Sequence, residues 1–297
     1  MKILVVGGKG QLAQSLVDRS IDRKEEVVAI GRPEIDLLNI ATFSRAMDQV
    51  EPDFVINAAA YTLVDKAETE PDLAFAINAD AVGQMAGRCA ENKLPFLHVS
   101  TDYVFDGCQA TAYRETDSAN PVTVYGKSKL QGEALVQAHS DMHIILRTAW
   151  VHSPFGSNFV RTMLRLANDR DVIGVVGDQK GSPTFAMELA DLLLQLTRTI
   201  DKTSSEKVPW GIFHAAGSGS TTWTGLAGEV FSCSKKLGGP FADVRSITTD
   251  EFPTTAVRPK NSTLACDKLN EEFGLKLPDW QKGVADCVER CLRIPVS

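Results

Sequence analysis

The first half of the chain alternates short apolar runs with longer segments of helical spacing. The runs are rich in β-branched and aromatic residues, which favour buried strands, and the intervening segments repeat apolar residues at helical intervals. Such alternation over about 150 residues predicts a parallel doubly wound sheet with helices on both faces. The predicted strands are KILVV at 2–6, EVVAI at 26–30, DFVINAAA at 53–60, PFLHVSTDYVF at 95–105 and HIILRTA at 143–149. The helical segments between them include residues 40–50 and 71–92.

Residues 151–297 are less regular, with predicted helices over 159–168, 186–199, 221–231, 269–273 and 280–292. A further apolar run, GIFHAA at 211–216, is expected to return to the first sheet. We therefore predict an α/β protein with a Rossmann-like domain over 1–150 and a smaller C-terminal α/β domain over most of 151–297.

Composition and charge exclude several classes of function. The chain has 297 residues and a net charge of −7, and it has no tract of clustered basic residues, so we expect no nucleic-acid partner. It has no apolar run of membrane-spanning length, and its N-terminus lacks the features of a signal peptide, so we expect no membrane and a cytoplasmic location. Six cysteines without metal-like spacing are expected to be reduced thiols, and no metal ligand is predicted.

A glycine turn follows the first predicted strand and precedes the first helix. Gly7, Gly10 and Ala13 hold the three positions of a phosphate-binding turn, whose small residues let backbone approach a dinucleotide pyrophosphate. The second strand ends in Gly31-Arg32, where a site for NAD often has an acidic residue. Arg32 either binds the 2′-phosphate of NADP or is a solvated loop arginine, and the sequence favours neither.

Tyr125 and Lys129 form a candidate proton-transfer pair. They lie four residues apart, on one face of a predicted helix, where an ammonium would favour the phenolate. Alone, such a pair is usually solvated, but Ser100, Thr101 and Asp102 end the fourth predicted strand at the edge where α/β sheets bind ligands. Together with the glycine turn, the pattern predicts acid-base chemistry beside a dinucleotide.

These motifs resemble the extended branch of the short-chain dehydrogenase/reductase superfamily, in which Ser or Thr, Tyr and Lys form the catalytic group. Longer stretches are similar to the dTDP-4-dehydrorhamnose reductases. They are GGKGQLA at 7–13, NAAAYTLVDKAETEP at 57–71, STDYVFDG at 100–107, VYGKSKLQGE at 124–133, RTAWVHS at 147–153, GDQKGSPT at 177–184 and RPKNSTL at 258–264.

The resemblance implies a role for each matching residue. Tyr125 would donate a proton, Thr101 would bind the developing alkoxide, and Lys129 would bind the nicotinamide ribose and lower the pKa of Tyr125. The implied cofactor residues are Gly7, Gly10, Gln11, Leu12, Arg32, Asp36, Leu37, Ala60, Tyr61, Thr62, Tyr125 and Lys129. The implied substrate residues are Thr101, Asp102, Trp150, Arg258 and Asn261, with the C-terminal half as substrate domain.

The implied activity is NADPH-dependent reduction of a dTDP-linked 4-keto sugar, with NADH also possible. Two alternatives stay open: a related nucleotide-sugar epimerase or dehydratase, and a non-catalytic NADP-binding regulatory subunit. Some family members pair through metal-bridging glutamates. Because Ser15 stands where such a glutamate is expected, a Mg²⁺ requirement and a metal-linked homodimer are both in doubt, and Glu188 alone would not support them.

Overall fold

The computed structural model describes residues 1–21 and 25–293, so the last four positions of the predicted second domain lie outside the described residues. The strands are β1 Lys2–Val6, β2 Glu26–Ile30, β3 Phe54–Asn57, β4 Phe96–Thr101, β5 His143–Thr148, β6 Val151–His152, β7 Val172–Val176, β8 Lys180–Gly181, β9 Thr184–Phe185, β10 Gly211–His214, β11 Thr221–Thr222 and β12 Asp243–Ile247. The helices are α1 Gln11–Ser20, α2 Ile40–Val50, α3 Val64–Ala67, α4 Pro71–Phe75, α5 Ala81–Glu91, α6 Val124–His139, α7 Phe159–Leu166, α8 Ala186–Asp201, α9 Trp223–Lys236, α10 Asp267–Phe273 and α11 Trp280–Arg293.

Six strands form the central sheet in the order β10-β5-β4-β3-β1-β2, and every pairing between neighbours is parallel. The predicted doubly wound α/β fold is therefore confirmed. Strand β10 pairs with β5 at the edge of this sheet, as expected from its apolar sequence. The parallel direction brings the carboxyl ends of the strands to one edge, where ligands bind in open α/β sheets.

Each face of the sheet has its own core because successive strand residues point to opposite sides. In β1, Ile3 and Val5 pack into a cluster with α1 and α8, whereas Leu4 and Val6 pack into a cluster with α2, α5 and α6. Helix α8 belongs to the second half of the sequence but packs on the main sheet, and the Arg19–Asp191 ion pair of 3.0 Å ties it to α1.

A second core lies outside the sheet and is built from α7, α9, α11 and the short strands around them. Strands β7 and β12 pair in parallel within this lobe. Since α8, β10 and Leu269 of α10 pack on the main sheet instead, residues after 150 contribute to both lobes.

The predicted helix over 71–92 is interrupted in the structure. Helix α4 passes into a π-helical turn at Ala76–Asp80 before α5 begins. The turn carries Asn78, whose side chain bonds both backbone groups of Tyr61 at 2.8 and 3.1 Å and the Ser128 hydroxyl at 3.0 Å. The extra residue of the π turn thus places one amide between the β3 exit loop and α6.

Within the described ranges, no helix is both long and apolar enough to cross a membrane.

Candidate active site

The glycine turn between β1 and α1 has the form of an anion cradle. Gly7 has φ +120°, which favours glycine, and its N–H donates to the Ile30 carbonyl of β2 at 2.8 Å. Gly10 directly precedes α1, whose start has no side-chain cap from the described residues, and a Cβ on Gly10 would meet only the Ala58 carbonyl, at 3.9 Å. Open space in front of uncapped helix N–H groups fits a pyrophosphate.

The other residues expected at the cofactor follow the carboxyl ends of β2 and β3. Arg32 is exposed directly after β2, and the Asp36 carboxylate accepts the Leu38 N–H at 3.1 Å. Tyr61 donates its hydroxyl to Glu70 at 2.6 Å. The remaining expected positions are Gln11 and Leu12 at the start of α1, Leu37 in the loop after β2, and Ala60 and Thr62 in the loop after β3.

The start of α6 is fixed by capping, and this fixes the position of Tyr125. The Thr123 hydroxyl accepts the Gly126 N–H at 3.0 Å, and the Glu68 carboxylate accepts the Val124 N–H at 2.9 Å. Gly126 is required because a Cβ there would lie less than 3.0 Å from the Tyr103 carbonyl. The caps and the close approach hold the first turn of α6 against the residues that follow β4.

Thr101 ends β4 and Asp102 follows it, both at most 5% exposed. The Thr101 hydroxyl donates to Asp102 Oδ1 at 3.0 Å and accepts the Tyr103 N–H at 3.2 Å. Burial raises the pKa of Asp102 to about 6, against the lowering effect of nearby Ser262 and Thr101 hydroxyls. Asp102 Oδ2 is buried without a hydrogen-bond partner among the described residues, so it is available to a polar ligand.

Tyr125 is half-buried, and its ring packs edge-on against Tyr103 at 5.6 Å between centroids. Burial raises its pKa, while a hydrogen bond with Thr101 acts in the opposite direction. Lys129 does not lower the pKa of Tyr125 in this structure, contrary to the expectation. Lys129 Nζ is turned toward the sheet, where it lies 3.0 Å from His98 Nε2 and donates a hydrogen bond of 2.8 Å to the Val99 carbonyl.

Of the expected substrate residues, Trp150 and Arg258 are partly exposed. Trp150 stacks on Trp223 with 3.5 Å between ring centroids, and Gly181 packs so closely on its indole that no Cβ would fit. Arg258 donates to the Tyr103 hydroxyl at 2.9 Å and to Asp65 at 2.6 Å. It therefore contacts the site indirectly, because the Tyr103 ring packs on Tyr125.

Asn261 has a structural role in this arrangement. Its amide nitrogen donates to the carbonyls of Gln109 and Thr111 at 2.8 and 2.9 Å, and its oxygen accepts from the Thr263 N–H and hydroxyl. Both ends of the amide are committed to the chain itself, so Asn261 shapes the segment that carries Arg258 rather than offering a free amide.

Sequence reasoning missed a layer of buried polar residues beneath the site. Glu133, one turn beyond Lys129 on α6, accepts the Ser100 hydroxyl and a bidentate pair of bonds from Arg147. Asn57 and His98 form a second buried pair. The sequence signal for Asn57 and His98 was a polar residue within an otherwise apolar strand, because strands of a parallel sheet are buried on both faces.

The helix face expected to carry a metal-bridging glutamate carries Ser15 instead. Ser15 is fully buried, and its hydroxyl donates to the Gln11 carbonyl at 2.8 Å. Burial raises the pKa of Glu188 to about 7, and Lys282 Nζ lies 3.8 Å from its carboxylate. Across the described residues, no cluster of three His, Cys, Asp or Glu side chains could hold a metal ion.

The parallel sheet, the glycine turn and the Thr101, Tyr125 and Lys129 group define an extended short-chain dehydrogenase/reductase. The family model for the RmlD substrate binding domain matches residues 1–293. A dTDP-4-dehydrorhamnose reductase of Sinorhizobium fredii is 43% identical over 283 residues, covering 95% of each chain. That of Escherichia coli K12 is 39% identical over 291 residues, covering 96% of each. The chain belongs to the dTDP-4-dehydrorhamnose reductase family.

Solved structures agree in fold with these relatives. A dTDP-4-dehydrorhamnose reductase from Clostridium acetobutylicum superimposes with a TM-score of 0.90 at 33% identity, covering 99% of this chain and 100% of that one. The enzyme from Bacillus anthracis, solved in complex with NADP, gives a TM-score of 0.89 at 32% identity, covering 96% and 98%.

Proposed function

We propose that this protein reduces the 4-keto group of dTDP-4-dehydro-L-rhamnose with NADPH, giving dTDP-L-rhamnose, a precursor for cell-surface polysaccharide. The observation that carries the proposal is the cluster of Thr101, Asp102 and Tyr125 at the carboxyl edge of the sheet, in a chain similar to such reductases over nearly its whole length. A location in the cytoplasm is part of the proposal.

The cofactor residues carry over as a set. The open backbone at Gly7, Gly10, Gln11 and Leu12 supports a pyrophosphate site there. In this proposal Arg32, which is exposed after β2, binds the 2′-phosphate and gives a preference for NADPH over NADH. The loop residues proposed to line the remainder of the dinucleotide are Asp36, Leu37, Ala60, Tyr61 and Thr62. When bound, the reduced nicotinamide supplies the hydride.

Tyr125 is suited to donate the proton that the new hydroxyl needs. Because burial raises its pKa, the phenol stays protonated at neutral pH, which is the form required for a reduction. A ketone oxygen that acquires negative charge becomes more basic than the phenol, so the proton moves from Tyr125 Oη to that oxygen. The Thr101 hydroxyl donates to Asp102 in this structure, and it would turn to donate to the substrate oxygen and stabilise its negative charge.

The substrate would lie between the two lobes, with residues after 150 supplying most of its contacts. Asp102 Oδ2 can accept a sugar hydroxyl, because it lacks another partner among the described residues. Arg258 supplies positive charge for an anionic diphosphate, and Trp150 presents a partly exposed indole. Asn261 acts through the segment that it shapes.

The test is consumption of NADPH with dTDP-4-dehydro-L-rhamnose generated in situ, followed by absorbance of the reduced nicotinamide. Tyr125→Phe removes the proton donor without removing the ring, and kcat should fall by about 10²–10⁴-fold. Tyr113→Phe is the matched control, since Tyr113 donates to Asp106 at 2.8 Å and lies outside the site. It should keep its rate within about twofold.

Each alternative function gives a different result in the same assay. An epimerase or dehydratase recycles its cofactor, so it would convert the sugar with no net loss of NADPH. A regulatory subunit would bind NADPH and turn over nothing. Full activity in Tyr125→Phe would remove Tyr125 from the mechanism.

A further inference from the structure

His98 lies at the centre of a buried chain of hydrogen bonds under the candidate site. Its ring is fully buried, with Nδ1 3.0 Å from Asn57 Nδ2 and Nε2 3.0 Å from Lys129 Nζ. The Asn57 amide is oriented by its other end, because Oδ1 accepts the Ala59 N–H at 3.0 Å. His98 therefore has an amide NH₂ on one side and the Lys129 nitrogen on the other.

The arrangement decides which ring nitrogen of His98 carries the proton. The amide nitrogen of Asn57 can only donate, so Nδ1 must accept, and a neutral imidazole must then carry its hydrogen on Nε2. That hydrogen points at Lys129 Nζ. An ammonium has three donors and no acceptor, whereas an uncharged amine has one lone pair that can accept it.

A charged Lys129 would leave one contact unsatisfied in either orientation of the amide. With Nδ1 protonated, two donors meet between His98 and Asn57. Rotating the amide moves the conflict to the Ala59 N–H, which would then face an NH₂ group. With an uncharged amine, Lys129 accepts from His98 and donates to the Val99 carbonyl at 2.8 Å, and every contact in the chain is complementary.

We propose that His98, oriented by Asn57, is a positioning residue that holds Lys129 as an uncharged amine in the cofactor-free enzyme, so that cofactor binding is accompanied by uptake of a proton from solvent at Lys129 Nζ. The second half of this statement rests on the proposed function, because it requires Lys129 to meet the cofactor as an ammonium. No bond other than the new N–H forms, and the proton comes from water or buffer.

The charges around Lys129 are consistent with this state. Burial lowers the pKa of Lys129 to about 8, so the uncharged amine is its main form above that pH. Glu133 on the same helix raises the pKa only in part, since that carboxylate is already paired with Arg147 of β5. Burial holds the pKa of His98 well below its usual range, so the imidazole is neutral beside an uncharged amine. Toward the site the nearby titratable groups are Tyr125, a neutral phenol, and Asp102 beyond it.

The first test reads the tautomer of His98 directly in the cofactor-free wild-type protein. Long-range ¹H–¹⁵N spectra distinguish the two ring nitrogens, and the His98 signals are assigned by their loss in His98→Gln. We expect a neutral ring with its proton on Nε2 from about pH 8.5 to about pH 9.5, where the amine form of Lys129 predominates. A proton on Nδ1 over that range would overturn the proposal, whatever the activity of the enzyme.

A second variant reverses the donor that orients the ring. Asn57→Asp is nearly isosteric and replaces the NH₂ group with an acceptor, so His98 should move its proton to Nδ1 and Lys129 should become a stable ammonium. The expected signature is a switch of tautomer, which a merely structural role of Asn57 would not produce. A folded Asn57→Asp protein that keeps the Nε2 proton would refute the coupling.

Calorimetry tests the link to the cofactor. Binding of NADPH at about pH 8 to about pH 9, repeated in buffers of different ionisation enthalpy, should show net proton uptake by the wild type and less by Asn57→Asp. Tight binding without proton uptake would overturn the linkage. Failure of the proposed function would look different: the nucleotide would bind with proton uptake, yet no keto sugar would be reduced.

Discussion

The buried pair of Glu133 and Arg147 offers the sharpest test of what holds the candidate site together. The two side chains are 1% and 4% exposed and share bonds of 3.0, 3.2 and 2.7 Å. Replacing Arg147 with Met keeps much of the volume but leaves the carboxylate with Ser100 as its remaining partner. Removing one member of such a buried pair costs about 3–5 kcal/mol, because the other charge stays buried without compensation.

The assay is urea unfolding followed by both fluorescence and circular dichroism, so that coincident transitions justify a single free energy of unfolding. Arg147→Met combined with Glu133→Gln removes both charges and should recover most of the loss, with a coupling of at least about 2 kcal/mol. The control is Arg88→Met at a surface pair with Glu91 of 3.2 Å, which should change stability by about 0.5 kcal/mol or less. A loss below about 1 kcal/mol in Arg147→Met alone would contradict the argument.

Three further outcomes follow from individual distances and pKa shifts. Gly132→Ala would place a Cβ less than 3.0 Å from the Asn78 carbonyl and should cost about 1–3 kcal/mol in thermal unfolding, whereas Gly228→Ala, with nothing within 4 Å, should not destabilise. Burial raises the pKa of Asp102 to about 6 in the folded protein, so the folded state holds a proton that the unfolded state releases above about pH 4. Relative to Asp102→Asn, the free energy of unfolding of the wild type should therefore fall by about 3 kcal/mol as pH rises from about 4 to about 6. A difference that does not change with pH would contradict the burial of the carboxyl. Arg32→Ala should raise KM for NADPH several-fold and leave KM for NADH unchanged, and equal constants in the parent protein would contradict a 2′-phosphate role.

Much of the fold could be predicted from local pattern. The strand over 26–30 and the helix over 40–50 have the predicted bounds, because a short apolar run and an apolar stripe each report burial within one element. The predicted helix over 71–92 did not reveal the π turn at Ala76–Asp80. That turn depends on Asn78 meeting Tyr61, a contact with a residue 17 positions away.

The candidate site divides in the same way. The sequence placed Tyr125, Lys129 and Thr101 in one site, because their spacing and strand ends bring them to the same edge of a parallel sheet. It could not give the direction in which Lys129 points. Helical spacing puts Tyr125 and Lys129 on one face, but the Lys129 nitrogen is turned toward the sheet by His98 and the Val99 carbonyl.

By itself the sequence determined the α/β fold, the glycine cradle and the chemical groups available for proton transfer, because each depends on residues close together along the chain or on a pattern repeated within one element. Only the tertiary structure decided the state of those groups. Asn57, His98 and Lys129 stand on three different elements, separated by 41 and 31 positions, and meet in a buried layer. Burial and the donors that face a group set its pKa and tautomer, and both arise when distant strands and helices pack together.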